Sequence, residues 1–286
     1  VIDLDTFAAA VGTDGPVTIA GLGTRGGAVA GVRVVTAPAG VEWVQADEMI
    51  VSCGAGTPVD QLVVALHEHG QTVALPKGGT VGGALALGLA DVCRLGHGPV
   101  RDVLLQARYV SAAGEVVKAG GPTVKNVSGF DLCRLLVGSR GTLGFLGDVI
   151  LRTRPLPQVS QWFSAPCADP SAAFSRLYRP ASVLWNGSSI WALLEGHPLD
   201  VAEQAERAGV QECSGPPALP IGSRRSVSPA AVAAFTGDFV AEIGVGIVHH
   251  AESWTAPARA AGVVALARAV KSEFDPTGRL NPGIDV

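Results

Sequence analysis

A mixed α and β fold is what this sequence predicts, on three observations. Apolar residues make up 48% and charged residues 16% of 286 positions, which suits a well-buried chain of one large domain or two smaller ones and excludes disorder. Short runs rich in Val, Ile and Leu alternate with runs of helical period between residues 17 and 154. Gly, Pro or Asp punctuates most of these runs, as strand ends require.

The strands expected in order are VTIAG (17–21), RVVTA (33–37), MIVSCG (49–54), VLLQARYVSA (103–112), EVVKA (115–119) and FLGDVILRTR (145–154). The clearest helix is TPVDQLVVALHEHG (57–70), with Thr57 suited to the N-cap, Pro58 to the first helical position, Asp60 to the capping box and Gly70 to the stop. Its stripe of Val59, Leu62, Val63 and Leu66 has the helical period and should pack on a sheet. His67 and His69 fall in its last turn, where the dipole favours a cation, and read as surface residues. A second helix is expected to start at Gly82 within ALPKGGTVGGALALGLA (74–90).

Texture changes after the two prolines of RPLPQV (154–159). The stretch 158–246 is richer in Pro, Ser, Ala and Trp, and at about 90 residues it is adequate for a cap. Within it, SSIWALLEGHP (188–198) reads as a strand and turn, and DVAEQAERAG (200–209) as an exposed helix stopped by Gly209. A last helix, PARAAGVVALARAVKSEFDP (257–276), runs into the sharply turned tail DPTGRLNPG (275–283).

Charge excludes some partners. The net charge of −4 is mild and no basic run occurs, which argues against nucleic acid or an anionic membrane as the main partner. Cys53, Cys93, Cys133, Cys167 and Cys213 are scattered without metal or disulfide spacing, so buried inert thiols in a reducing compartment and no metal site are expected. No uncharged apolar run approaches the ~18 residues of a membrane span, and nothing resembles a signal peptide. The expected location is the cytoplasm, or the inner face of a membrane through a partner.

Three glycine-rich segments carry the functional information: AGLGTRGGAVAG (20–31) after a strand, the 74–90 stretch, and VGSRGTLG (137–144) before a strand. Successive backbone N–H groups without Cβ atoms make an anion-binding concavity, and a helix start adds a positive dipole end. No G-x-G-x-x-G opens a βαβ unit and no P-loop occurs, so neither nucleotide fingerprint explains them. Three such loops in one chain imply a large ligand that contains phosphate.

The order GLGT, P-x-G-G-T-V-G-G, G-x-V-R-D, VKNVSGFDLCRLLVGSRGTLG and FDPTGRLNPG resembles the FAD-linked oxidases of the vanillyl-alcohol-oxidase type, with a PCMH-type FAD-binding domain. Within that family it is similar to the second flavin-binding subunits of bacterial glycolate oxidases. The resemblance implies an α+β fold: an FAD-binding domain of two α+β subdomains over 1–157, a reduced cap over 158–246 and a C-terminal segment, 247–286, that returns to the flavin domain. Carried over by position, Gly21, Gly23, Thr24 and Arg25 would belong to the first pyrophosphate loop. Pro76, Thr80, Gly82 and Gly83 would form the wall beside the phosphates and ribityl chain. Gly138, Ser139, Gly141, Thr142 and Gly144 would lie along the cofactor, and Asn281 would approach its ring side. The first loop lacks the His that attaches FAD covalently in many relatives, so a non-covalent cofactor is implied. Arg140 stands where relatives often have Glu, and is either a surface change or an added phosphate contact.

Oxidation of a 2-hydroxy acid by flavin needs a base for the hydroxyl proton and a cation for the carboxylate. His249 and His250 in GIVHHAE (246–252) are the candidate bases, although adjacent strand residues face opposite sides and at most one reaches a site. His97 is a further loop candidate, and Arg94, Arg101 and Arg225 could serve a carboxylate or make ordinary surface contacts. Two readings follow. One is an FAD-dependent oxidoreductase of glycolate or lactate type, working with a catalytic FAD subunit and an iron–sulfur subunit. The other is a non-catalytic FAD-carrying structural or electron-relay subunit of such a complex.

Overall fold

The computed structural model describes residues 2–24, 26–122 and 131–284, which divide into two compact units. The first takes 1–91, 99–156 and 259–286, and the second takes 92–98 and 157–258. Among the described residues no helix is long and apolar enough to cross a membrane.

In the first unit the apolar runs, the central ones covered on both faces, become strands. They are β1 (Val17–Ala20), β2 (Arg33–Thr36), β3 (Val41–Gln45), β4 (Ile50–Gly54), β5 (Gln71–Thr72), β6 (Leu104–Val110), β7 (Val116–Gly120), β8 (Phe145–Arg152) and β9 (Arg154–Pro155). An antiparallel five-stranded sheet has the order β3-β4-β8-β6-β7. Every residue of β4, and all of β8 but its last, is buried, which is why these two read as mostly apolar runs; the exceptions bond internally, Ser52 to Glu42 and Asp148 to Arg108. The helices are α1 (Asp5–Val11), α2 (Val59–His67) and α3 (Val81–Leu87); α4 (Arg94–His97) belongs to the second unit, and α5 (Leu132–Leu136) returns to the first. Leu62, Leu66 and Leu85 pack into the core with Val51, Leu143 and Leu151 of the sheet side. A smaller cluster joins Phe7 and Val11 of α1 to Val17, Val35, Phe145 and Leu280, which places the parallel pair β1–β2 beside the chain's C-terminal turn.

The start of α2 differs from expectation. Thr57 does not cap it: its hydroxyl accepts the N–H of Gly40 at 2.8 Å and donates to the Gly40 carbonyl at 3.2 Å. The cap position falls on Pro58 without a side-chain bond, and Asp60 accepts from the N–H of Gly78 at 3.2 Å. Tertiary partners thus outcompete the local capping bonds of Thr57 and Asp60. The stop holds, with Gly70 at φ +64°.

In the second unit β10 (Val159–Pro166), β11 (Ser182–Trp185), β12 (Ser189–Gly196), β13 (Gln211–Glu212), β14 (Ser223–Ser226), β15 (Phe239–Glu242) and β16 (Ile247–His250) form one antiparallel sheet, ordered β13-β10-β12-β11-β15-β16-β14. Helices α6 (Pro170–Phe174) and α7 (Pro198–Ala208) accompany it, and Val201 and Ala205 of α7 pack with Phe163, Ala192 and Leu194 of the sheet. The sheet extends past residue 246, where sequence texture alone drew a boundary, because β16 is held by ladders to β14 and β15.

The last helix, α8 (Ala261–Phe274), leads into the turned tail. Asp275 organises that turn, accepting the N–H groups of Arg279 and Leu280 at 3.0 and 2.8 Å and the Lys271 ammonium at 2.6 Å. Burial alone would raise the Asp275 pKa, but the bonds from Lys271, Leu280 and Arg279 outweigh it and hold the carboxyl below its ordinary range. Arg279 is 5% exposed and donates to five carbonyls, those of Val11, Gly12, Asp14, Gly15 and Ala112. The tail is thereby fastened to the C-terminal end of α1 and to the loop after β6.

Candidate functional site

The first unit contains a cavity of about 470 Å³, within the range of small-molecule sites. All three glycine-rich segments line it. From the first loop come Gly21, Gly23 and Thr24, continued by Gly26 and Gly27; Arg25 lies outside the described residues. The second wall is Thr80, Gly82 and Gly83, and the third is Ser139, Gly141 and Gly144. Asn281 closes the set. Pro76, Gly138 and Thr142 do not line the cavity.

The glycines do two kinds of work. At Gly23, Gly26 and Gly27 a Cβ would meet nothing within 4 Å, so the loop presents bare backbone to open space. Gly82 is different: its Cβ would stand 2.9 Å from the Ala55 carbonyl oxygen, to which its own N–H donates at 2.7 Å. The close approach anticipated at the start of α3 is therefore partly the chain meeting itself. Thr80 caps α3 by accepting the Gly83 N–H at 3.1 Å, and a Cβ on Gly21 would meet that hydroxyl at 3.0 Å. Gly27→Leu should fill the cavity, weakening binding about tenfold or more in a cofactor titration while leaving the thermal midpoint unchanged. Gly82→Ala should do the reverse, losing about 1–3 kcal/mol in urea denaturation through overpacking against Ala55.

Asn281 ties two walls together. Its Oδ1 accepts from the Thr18 hydroxyl at 2.8 Å and the Ile19 N–H at 3.2 Å, while Nδ2 donates to the Arg140 carbonyl at 2.7 Å. Thr18 also accepts the Val29 N–H at 3.1 Å, so one hydroxyl joins the two ends of the first loop. The hydroxyls of Ser139 and Thr142 are spent inside their own turn, on the carbonyls of Leu136 and Ser139. They shape the loop and do not reach outward.

The cavity suits a dinucleotide with a diphosphate. No described residue lining it is an Asp or Glu, and the N–H groups of Leu22 and Gly23 take no backbone partner among the described residues. Backbone donors left open on a glycine-rich loop, with no carboxylate among the described lining to repel an anion, are what such a group requires. FAD fits this donor set.

The histidines lie in the second unit, on β16. They face opposite sides, as strand geometry demands. His250 Nε2 is bonded to the Thr236 carbonyl at 3.1 Å, and its Nδ1 accepts the Glu252 N–H at 3.0 Å, so both ring nitrogens are occupied structurally. His249 Nε2 lies 2.8 Å from Glu242 Oε1, and Glu242 is 1% exposed with Oε2 unpartnered among the described residues. Arg224 stands 4.0 Å from the same carboxylate oxygen. Sequence reading missed Glu242; its only signal is a carboxylate placed within an otherwise apolar strand, FVAE. His97 is held by Glu195 at 3.0 Å, and Arg225 stacks on Trp254 at 4.9 Å. Burial pushes the Cys53 thiol up to about 12 and the Cys133 thiol up to about 11, so both are inert at neutral pH. Among the described residues no three His, Cys, Asp or Glu side chains are grouped to hold a metal.

Comparison with known proteins gives two family matches: the FAD binding domain over residues 5–120 and the C-terminal domain of FAD linked oxidases over residues 227–284. The glycolate oxidase subunit GlcE of Escherichia coli is 35% identical over 179 residues, covering 59% of this chain and 51% of that protein. The D-lactate dehydrogenase of Archaeoglobus fulgidus is 37% identical over 141 residues, covering 47% of this chain and 32% of that protein. The chain thus spans about half, or less, of the length of these relatives. Among solved structures, an alkyldihydroxyacetonephosphate synthase matches with a TM-score of 0.67 at 13% identity, covering 98% of this chain and 74% of that one, which is a likeness of fold.

Proposed function

Because the chain belongs to the FAD-linked oxidase family, we propose that it is an FAD-dependent oxidoreductase acting on a small 2-hydroxy acid of glycolate or lactate type, as one subunit of a glycolate oxidase-like complex. The observation that carries this reading is the cavity walled by three glycine-rich segments, with no Asp or Glu among its described lining residues. When bound, non-covalently, FAD supplies the two-electron acceptor for the substrate's α C–H.

The chain's own residues bind and prepare. The backbone donors of Leu22 and Gly23 hold the diphosphate, and Asn281 keeps the third wall in register with the first. Within the second unit, an Nε2–H of His249 facing Glu242 Oε1 would leave Nδ1 as the acceptor, the tautomer that a base for a hydroxyl proton requires. The buried Glu242 carboxylate would compensate an imidazolium at that position, and Arg224 lies 4.0 Å from the same carboxylate oxygen. Partners on this reading are a catalytic FAD subunit and an iron–sulfur subunit, at the cytoplasmic face of a membrane.

A second reading, an FAD-carrying relay subunit without its own substrate, is favoured by the burial of His249, whose side chain is 12% exposed and already engaged by Glu242. The two separate in one experiment. Glycolate or D-lactate is added anaerobically to the yellow protein: bleaching establishes the oxidoreductase, and colour that persists, alone and with partners present, establishes the relay.

A further inference from the structure

Arg140 is the one charged residue among the described residues lining the cavity. Its backbone sits at φ +54°, a conformation that side chains rarely adopt and glycine adopts freely. Two hydrogen bonds hold it there: its N–H donates to the Ala86 carbonyl at 2.8 Å, and its carbonyl accepts from Asn281 at 2.7 Å. Gly138 and Gly141 on either side have φ of +85° and +70°. An arginine therefore stands at a position whose backbone favours glycine, in a loop otherwise supplied with glycines. Its charge has no compensating carboxylate among the described residues lining the cavity. Strain of this kind persists where the surrounding structure over-determines it, and it gathers at ligand clamps.

We propose that the Arg140 guanidinium is the charged anchor of the cofactor's diphosphate, a proposal that rests on the FAD reading above. Oxidised flavin is uncharged at neutral pH, so the diphosphate is the part of FAD that calls for a cation. The backbone donors of Leu22 and Gly23 supply only partial charges. A guanidinium adds a full charge and a planar fork matched to phosphate oxygens.

The test uses the full chain stripped of flavin and titrated with FAD at low and high salt. Arg140→Gln removes the charge, and Arg140→Gly removes it while suiting the backbone. Both are expected to bind FAD about ten- to a hundredfold more weakly at low salt, with the salt dependence of affinity reduced relative to the parent chain. Arg140→Gly is further expected to keep the thermal midpoint of the flavin-free chain, which separates ligand loss from misfolding. Unchanged FAD affinity in Arg140→Gln overturns the proposal, and so does a salt dependence equal to the parent's. Parent protein that binds no FAD overturns the FAD reading itself, an outcome distinct from an insensitive Arg140.

Discussion

Arg279→Ala is expected to destabilise the chain by about 3–5 kcal/mol, the range for removing one member of a buried charged network. The guanidinium is buried and donates to five carbonyls at 2.7 to 3.2 Å. Three of those carbonyls, at Val11, Gly12 and Ala112, close the C-terminal end of α1 and the turn after β6, and two more, at Asp14 and Gly15, fix the approach to β1. Alanine leaves these oxygens without their donor and removes the packing of the side chain's stem. Arg279→Lys should recover less than half of the loss, because one ammonium cannot span a fan of five acceptors. Urea denaturation of both variants checks this: a shift of the midpoint with unchanged slope is the expected result. A loss under 1 kcal/mol for alanine would show that the fan is dispensable.

Asn281→Ala should weaken FAD binding by about a hundredfold, through the cofactor's walls more than through direct contact. The amide makes three bonds, to Thr18, Ile19 and Arg140, and its own φ of +45° is one that Asn tolerates better than Ala. Asn281→Asp is the sharper variant. It keeps the acceptor facing Thr18 and Ile19 but turns the donor facing the Arg140 carbonyl into a second acceptor, opposing two oxygens now 2.7 Å apart. FAD titration is expected to show the aspartate variant binding no better than the alanine one. Parent-like affinity in the aspartate variant would mean that the link to Arg140 does not shape the site.

Much of this site could be read from the sequence, because backbone-lined cavities need glycine and glycine is visible. Gly21, Gly23, Gly82, Gly83, Gly141 and Gly144 came from three separate segments, and folding gathers them around one cavity. What the letters could not separate is why each glycine is there. Gly82 answers to the Ala55 carbonyl and Gly141 to the Asn281 amide, whereas Gly27 answers to empty space. The central strands were equally legible, since β4, β6 and β8 are mostly buried runs rich in Val, Ile and Leu and bounded by turns. By contrast, β14 has the sequence SRRS, which carries no strand pattern and is held by its ladder to β16. Arg279 is likewise silent: its acceptors lie at positions 11–15 and 112, far away in sequence and defined only by folding. Glu242 became meaningful once β15 and β16 paired and brought His249 to its carboxylate.

The central claim is that the first unit holds FAD. It is tested most directly by stripping the full chain of flavin under mild denaturation, refolding it, and titrating it with FAD while following flavin fluorescence and the visible spectrum. Saturable binding of one FAD per chain, all of it released again by denaturation, is the result this account predicts. Failure to take up FAD after reconstitution, with partner subunits present as well as absent, would contradict it.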